Sequence, residues 1–125
     1  MRHNGRMREQ TIILPFPVPL ASCFIKSKGG SGIPSARYKE YRAKAAQCFR
    51  DQGAWLMDGQ VSIAIKLCAP DKRKRDADNL FKCLFDNLSG NVMEDDNCGI
   101  VRRASWEWVD DGNPRAEITI TQLAP

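Results

Sequence analysis

The chain has 125 residues. Lysine and arginine number 19, aspartate and glutamate 15, for a formal charge of +4, and 42% of residues are hydrophobic. This balance suits one compact domain; a disordered chain would be poorer in large apolar residues, and two separate cores are not expected at this length. The single histidine, His3, stands in a polar N-terminal tail, so a Ser-His-Asp site, a Cys-His site or a histidine-rich zinc site is not expected.

Taken in chain order, residues 1–8 read as a flexible tail. Gln10 to Leu14 is a short strand, and Pro15, Pro17 and Pro19 then hold the chain extended. That apolar run is too short and too proline-broken to be a membrane span or a signal segment. Residues 26–34 form a basic connector rich in glycine and serine, without the spacing of a phosphate-binding loop. Ser35 caps a helix whose apolar positions are Tyr38, Tyr41, Ala45, Cys48 and Phe49, closed by Gly53. Val61, Ile63, Ile65 and Leu67 alternate with smaller or polar residues as a strand, which Pro70 ends. A second helix is expected from about Asp76 to Leu88, with Ala77, Leu80, Phe81, Leu84, Phe85 and Leu88 as its apolar stripe. Ile100 to Val109 is a strand. Residues 111–114 turn, and a last strand follows around Glu117 to Thr121, which reads as a closing hairpin. The order is β-α-β-α-β-β, and the expected class is α+β: one domain over 1–125, a mixed sheet with two helices packed on it.

Cys23, Cys48, Cys68, Cys83 and Cys98 are odd in number and contain no C-x-x-C. Neither a zinc nor a thioredoxin-like reading applies, and reduced thiols in a cytoplasmic protein are expected, most of them as small core residues.

The net charge conceals a division. Residues 1–51 hold ten basic residues against three acidic, a local charge of +7. Residues 52–125 hold nine against twelve, and seven of those acids fall between Asp71 and Asp96. A basic surface is the footprint of a polyanion partner, and an acidic cluster beside it repels that partner unless a cation is bound. An ordinary solvated surface has the same composition.

The stretch 71–96 holds the candidate chemistry. Lys72, Arg73, Lys74 and Arg75 directly precede Asp76 and Asp78. Residues two apart on a helix point about 200° from each other, so the two aspartates serve one ion only if Asp76 lies at or before the cap. The same residues also suit a helix N-terminus with no catalysis. Lys82, four residues after Asp78, shares its face. It is either an ion pair continued by Asp86 or a catalytic cation beside the carboxylates. Glu94, Asp95 and Asp96 add carboxylates from another element. Three carboxylates make a hard-oxygen set suited to magnesium or manganese, and basic residues beside them suit a phosphodiester. Trp106 and Trp108 share a strand face. Core or interface packing is favoured over base stacking there.

The basic run followed by Asp76-Ala77-Asp78-Asn79-Leu80-Phe81-Lys82, then Glu94-Asp95-Asp96, resembles the RusA family of Holliday junction resolvases, small endodeoxyribonucleases largely of phage origin. The likeness extends to the opening strand with Leu14-Pro15-Phe16-Pro17 and to the closing strand. It implies a homodimer that resolves four-way branched DNA by paired Mg2+-dependent nicks, without a nucleotide cofactor, and twofold symmetry sets two sites on opposing strands. Carried onto this chain, the metal-binding acids are Asp76, Asp78 and Asp96, with Asp95 as the alternative third ligand. Lys82 is the catalytic lysine, and Arg73, Lys74 and Arg75 contact phosphates. The chain departs from the family at Met93, where an aromatic residue is usual, at Cys98, where glutamine is usual, and at Leu20 to Cys23, which lacks a Ser-Asn-rich loop. Two other readings share its surface chemistry: a catalytically inactive, phage-derived DNA-binding protein, and a small phosphate-ester hydrolase.

Overall fold

Apolar residues at every second position give the sheet one buried face. In the computed structural model, which describes residues 8–26 and 32–124, the strands are β1 (Glu9–Leu14), β4 (Val61–Cys68), β5 (Val101–Val109) and β6 (Arg115–Gln122), in the spatial order β1-β6-β4-β5. Ile12 and Leu14, then Val61, Ile63, Ile65 and Leu67, then Ala116, Ile118 and Ile120 are all buried on that face. Against it lie α2 (Ala36–Asp51), through Tyr38, Tyr41, Ala45 and Phe49, and α3 (Asp78–Leu88), through Leu80, Leu84 and Leu88. The opposite face, with Thr11, Ala64, Lys66 and Thr119, stays open to solvent to varying degree, the usual outcome when helices cover one side only.

The predicted mixed sheet is present, with two changes. The path from Leu20 to Pro34 adds a short helix α1 (Leu20–Cys23) and a small sheet of β2 (Phe24–Lys26) with β3 (Gly32–Pro34). The segment departing from the family pattern is therefore helical. Its Cys23 thiol is buried and donates to the carbonyls of Val18 and Pro19, at 3.5 and 3.4 Å. The middle of the glycine-rich connector, residues 27–31, lies outside the described residues, as do His3 and most of the expected tail.

The second change concerns the end of the chain. The last two strands do not form a hairpin: β4 lies between them, parallel to β5 and antiparallel to β6. The turn at 110–114 therefore passes over the end of β4. Arg115 there bonds Asp111 and Glu117, with nitrogen–oxygen distances of 2.9 and 2.7 Å. β4, α3 and β5 form a β-α-β crossover, the only connection that parallel neighbours allow.

Local caps follow the sequence. Ser35 Oγ accepts from the Tyr38 amide at 3.1 Å and starts α2. Gly53 follows α2 with φ +66° and Gly90 follows α3 with φ +82°, left-handed conformations that glycine adopts without steric cost. Cys23, Cys68 and Cys83 are buried and all five thiols are free. No helix among the described residues is long and apolar enough to cross a membrane.

Candidate nuclease site

The loop from β4 to α3 is ordered by Asp71. Its Oδ1 accepts from the Arg73 amide at 2.9 Å and from Arg75 Nη1 at 2.8 Å. The Arg75 hydrogen bond, then that of the Arg73 amide, lowers the carboxyl to about 2. Arg75 also donates to the carbonyls of Asp71 and Arg73, and its guanidinium sits 5.6 Å from the Phe16 ring. Only 15% of its side chain is exposed, so it braces this loop as well as adding charge. Lys72, Arg73 and Lys74 are exposed and project from the braced loop. The Arg73 guanidinium approaches Asp71 only to 3.7 Å, and no ion pair involves Lys72 or Lys74 among the described residues.

Asp76 lies ahead of the cap, the backbone position that a shared ion with Asp78 requires. The helix begins at Asp78, Ala77 occupies the cap position, and Asp76 precedes it. The Asn79 and Leu80 amides bond the carbonyls of Asp76 and Ala77, at 3.2 and 3.0 Å. No side chain caps the helix. Both carboxylates are exposed and are not consumed by the capping role that their position suggests.

Lys82 stands one turn further along α3. Its Nζ is bonded to Asp86 Oδ1 at 3.0 Å, the i,i+4 pair foreseen as the alternative to a catalytic role. Asp86 Oδ2 in turn accepts from the Tyr38 hydroxyl of α2, also at 3.0 Å. In the sequence Tyr38 is legible only as a packing residue of the α2 stripe. A helical stripe shows that residue 38 faces inward, but not that its hydroxyl meets a carboxylate 48 positions away.

The acid run Glu94-Asp95-Asp96 follows the other end of α3. Val92 accepts from the Met57 amide and Gly59 donates to Glu94 Oε1 at 3.3 Å, placing this loop at the start of β4. Eleven residues of α3 span roughly 16 Å, and they separate Asp76 and Asp78 from Asp96. Among the described residues, no group of three or more Asp, Glu, His or Cys side chains could hold a metal ion. The described residues therefore do not gather Asp76, Asp78 and Asp96 into one such group.

Within the acid run, Asp95 and Asp96 differ. Asp95 Oδ1 accepts from the Asp96 amide at 2.7 Å and Oδ2 from Asn97 at 3.0 Å, which lowers its pKa. Both its oxygens are committed to shaping the loop. Asp96 is exposed.

β5 ends the sheet. The other edge, β1, is closed by Gln52, whose side chain bonds both the amide and the carbonyl of Ile13 at 2.7 Å. Among the described residues β5 has no such cover: Arg102 through Trp108 are all exposed. Trp106 is 48% exposed and Trp108 36%. Trp106 packs edgewise on Phe81 of α3, with centroids 6.0 Å apart, and on Trp108 at 6.1 Å. Core burial, one of the two packing roles expected for these tryptophans, is thus absent in the single chain.

These features define a small α+β domain with an exposed basic loop, a pair of helix-leading carboxylates and an uncovered sheet edge. Residues 16–121 match the family model described as Endodeoxyribonuclease RusA. Over 83 residues the chain is 35% identical to the Crossover junction endodeoxyribonuclease RusA of Aquifex aeolicus, covering 65% of this chain and 66% of that protein. It is 31% identical over 120 residues to the protein of the same name from Escherichia coli strain K12, covering 94% of this chain and 98% of the relative. A protein of that name from Enterobacteria phage HK97 is 28% identical over 120 residues. The chain belongs to the RusA endodeoxyribonuclease family.

Proposed function

We propose that this protein is a homodimeric resolvase that cuts four-way branched DNA by paired phosphodiester hydrolysis. It is supported by the family, whose relatives carry crossover junction endodeoxyribonuclease in their names. The observation that carries the quaternary part is the separation of Asp96 from Asp76 and Asp78 at opposite ends of α3, beside an open strand edge. Antiparallel pairing of β5 with β5 of a second copy sets the end of one strand beside the start of the other. The α3 N-terminus of one subunit then approaches the 94–96 loop of its partner, twice, by symmetry. Exposed, unpaired edge strands are the surfaces that such pairing uses.

On this reading Asp76, Asp78 and the partner's Asp96 hold one divalent cation, Mg2+ or Mn2+, and hard carboxylate oxygens are the donors these ions take. The bound ion supplies an activated water and charge stabilisation at the phosphate. Lys72, Arg73 and Lys74 hold the DNA backbone on the braced loop, and Arg75 keeps that loop in place. Lys82 donates hydrogen bonds from its ammonium group to the phosphate undergoing cleavage. Asp95 shapes the acid loop and leaves Asp96 free to bind. Five free thiols fit a reducing compartment, the cytoplasm.

Mixing two inactive variants tests this reading. Asp76→Asn and Asp96→Asn homodimers are each expected to bind a synthetic four-way junction without cutting it in Mg2+. Their mixture should nick it, because a heterodimer retains one site with all three carboxylates. A mixture as inactive as its parents, with mixed dimers verified, would sink the shared-site reading. A wild-type protein that binds the junction but never cuts would favour the DNA-binding protein without catalysis.

A further inference from the structure

Most i,i+4 lysine–carboxylate pairs on helix surfaces are mobile and need no third partner. The pair at Lys82 is built differently. Asp86 is held from the neighbouring helix: its second oxygen accepts the hydroxyl proton of Tyr38 at 3.0 Å. Tyr38 is fully buried. Its ring meets Phe24 edge-on at 5.5 Å, and the Arg42 guanidinium lies 4.6 Å over the ring. Burial first, and the hydrogen bond to Asp86 second, push the phenol's pKa up, so Tyr38 stays a proton donor. Asp86 is itself only 19% exposed in its side chain, while Lys82 is 50% exposed. A buried ring thus fixes a half-buried carboxylate, and that carboxylate fixes a lysine whose tip still reaches solvent.

We propose that Asp86 and Tyr38 are positioning residues that aim the Lys82 ammonium for the cleavage step. This rests on the reading of Lys82 as part of the cleavage machinery. A lysine ammonium has three donors and no acceptor. One donor spent on Asp86 ties the ammonium to a fixed carboxylate and leaves two donors on a side chain that is half exposed. Without Asp86 the four-carbon stem samples many rotamers, and a misplacement of about 1 Å in a catalytic group can cost about a hundredfold in rate.

The test is single-turnover cleavage of a four-way junction by saturating enzyme, together with junction affinity and thermal unfolding. Asp86→Asn keeps an acceptor for Tyr38 and removes the charge facing Lys82. It should cleave about tenfold slower or worse, with affinity and unfolding temperature near those of wild type. Tyr38→Phe keeps the ring packing and should slow cleavage by a smaller factor, about threefold. Placed on Lys82→Ala, Asp86→Asn should cause no further loss, since residues acting through one another are not additive. If Lys82→Ala is slow while Asp86→Asn cuts at the wild-type rate, the positioning role is overturned and the reading of Lys82 stands. If Lys82→Ala itself cuts at the wild-type rate, the reading of Lys82 fails first. Full additivity of the two substitutions, or an Asp86→Asn loss that appears in affinity alone, also overturns the proposal.

Discussion

Replacing Trp106 by alanine probes the uncovered edge on which the shared-site reading depends. A tryptophan buries about 150–250 Å² when covered, and Trp106 is 48% exposed in the single chain. Roughly 100 Å² per subunit is thus left for a partner to cover. At about 25 cal/mol per Å² this is about 2.5 kcal/mol per subunit, or about 5 kcal/mol across a twofold interface. Each 1.4 kcal/mol is a factor of ten, so the dimer dissociation constant should rise by about 4 × 10³-fold. The entropic cost of association is shared by both proteins and drops out of the comparison. The loss of the Phe81 and Trp108 contacts acts within the chain and lowers folding stability by about 0.5–1.5 kcal/mol per aromatic pair. Sedimentation velocity from nanomolar to micromolar protein separates these effects, with thermal unfolding as the control. Junction cleavage by the variant should recover as its concentration is raised through the weakened dissociation constant. An unchanged dimer constant in Trp106→Ala would refute the assignment of this face. So would a wild-type protein that is monomeric at the concentrations where it cuts.

Two further outcomes concern the basic loop. Lys72→Ala and Lys74→Ala should each weaken DNA binding alike for every sequence and reduce the slope of log affinity against log salt by about 1, measured by fluorescence anisotropy across a salt series; an unchanged slope would remove them from the phosphate contacts. The Asp71 carboxyl, lowered to about 2 chiefly by the Arg75 hydrogen bond, should keep its brace as pH falls from 4 and lose it only as pH passes through about 2. The sign follows from linkage: a depressed carboxyl stabilises the fold above its unfolded value, and that contribution disappears as pH falls through the folded one. Carbon-detected NMR titration should place the midpoint there, and Arg75→Ala should move it back toward the ordinary carboxylate range.

The parts of the fold legible in the sequence are those set by near neighbours. The Ser35 cap, the alternation in β4 and the stripe of α3 are local patterns, and each appears close to where it is expected. The failed expectation of a closing hairpin is a failure of range. β5 and β6 are joined by a short turn, which normally means direct pairing, but β4 takes the place between them through contacts some fifty residues distant in sequence. β2 and β3 have three residues each, too few for an alternation to register. The brace on Asp86 joins α2 to α3, and no spacing rule within one helix predicts a partner on another.

The acid set shows the same limit from the other side. Asp76, Asp78 and Asp96 lie within about twenty residues in the sequence, and the motif treats them as one unit. A helix intervenes, and a rigid helix converts closeness in sequence into distance in space. The same crossover puts the two halves of the set at opposite ends of one exposed edge strand. Under the proposed pairing, that arrangement has a chemical consequence. A lone subunit holds two carboxylates at one end and one at the other, and neither end completes the set. Dimerisation completes both sites in the same event, because each subunit gives one half to each. Cleavage would then be restricted to a species with two competent sites related by a twofold axis, the symmetry needed to cut two opposing strands of a four-way junction.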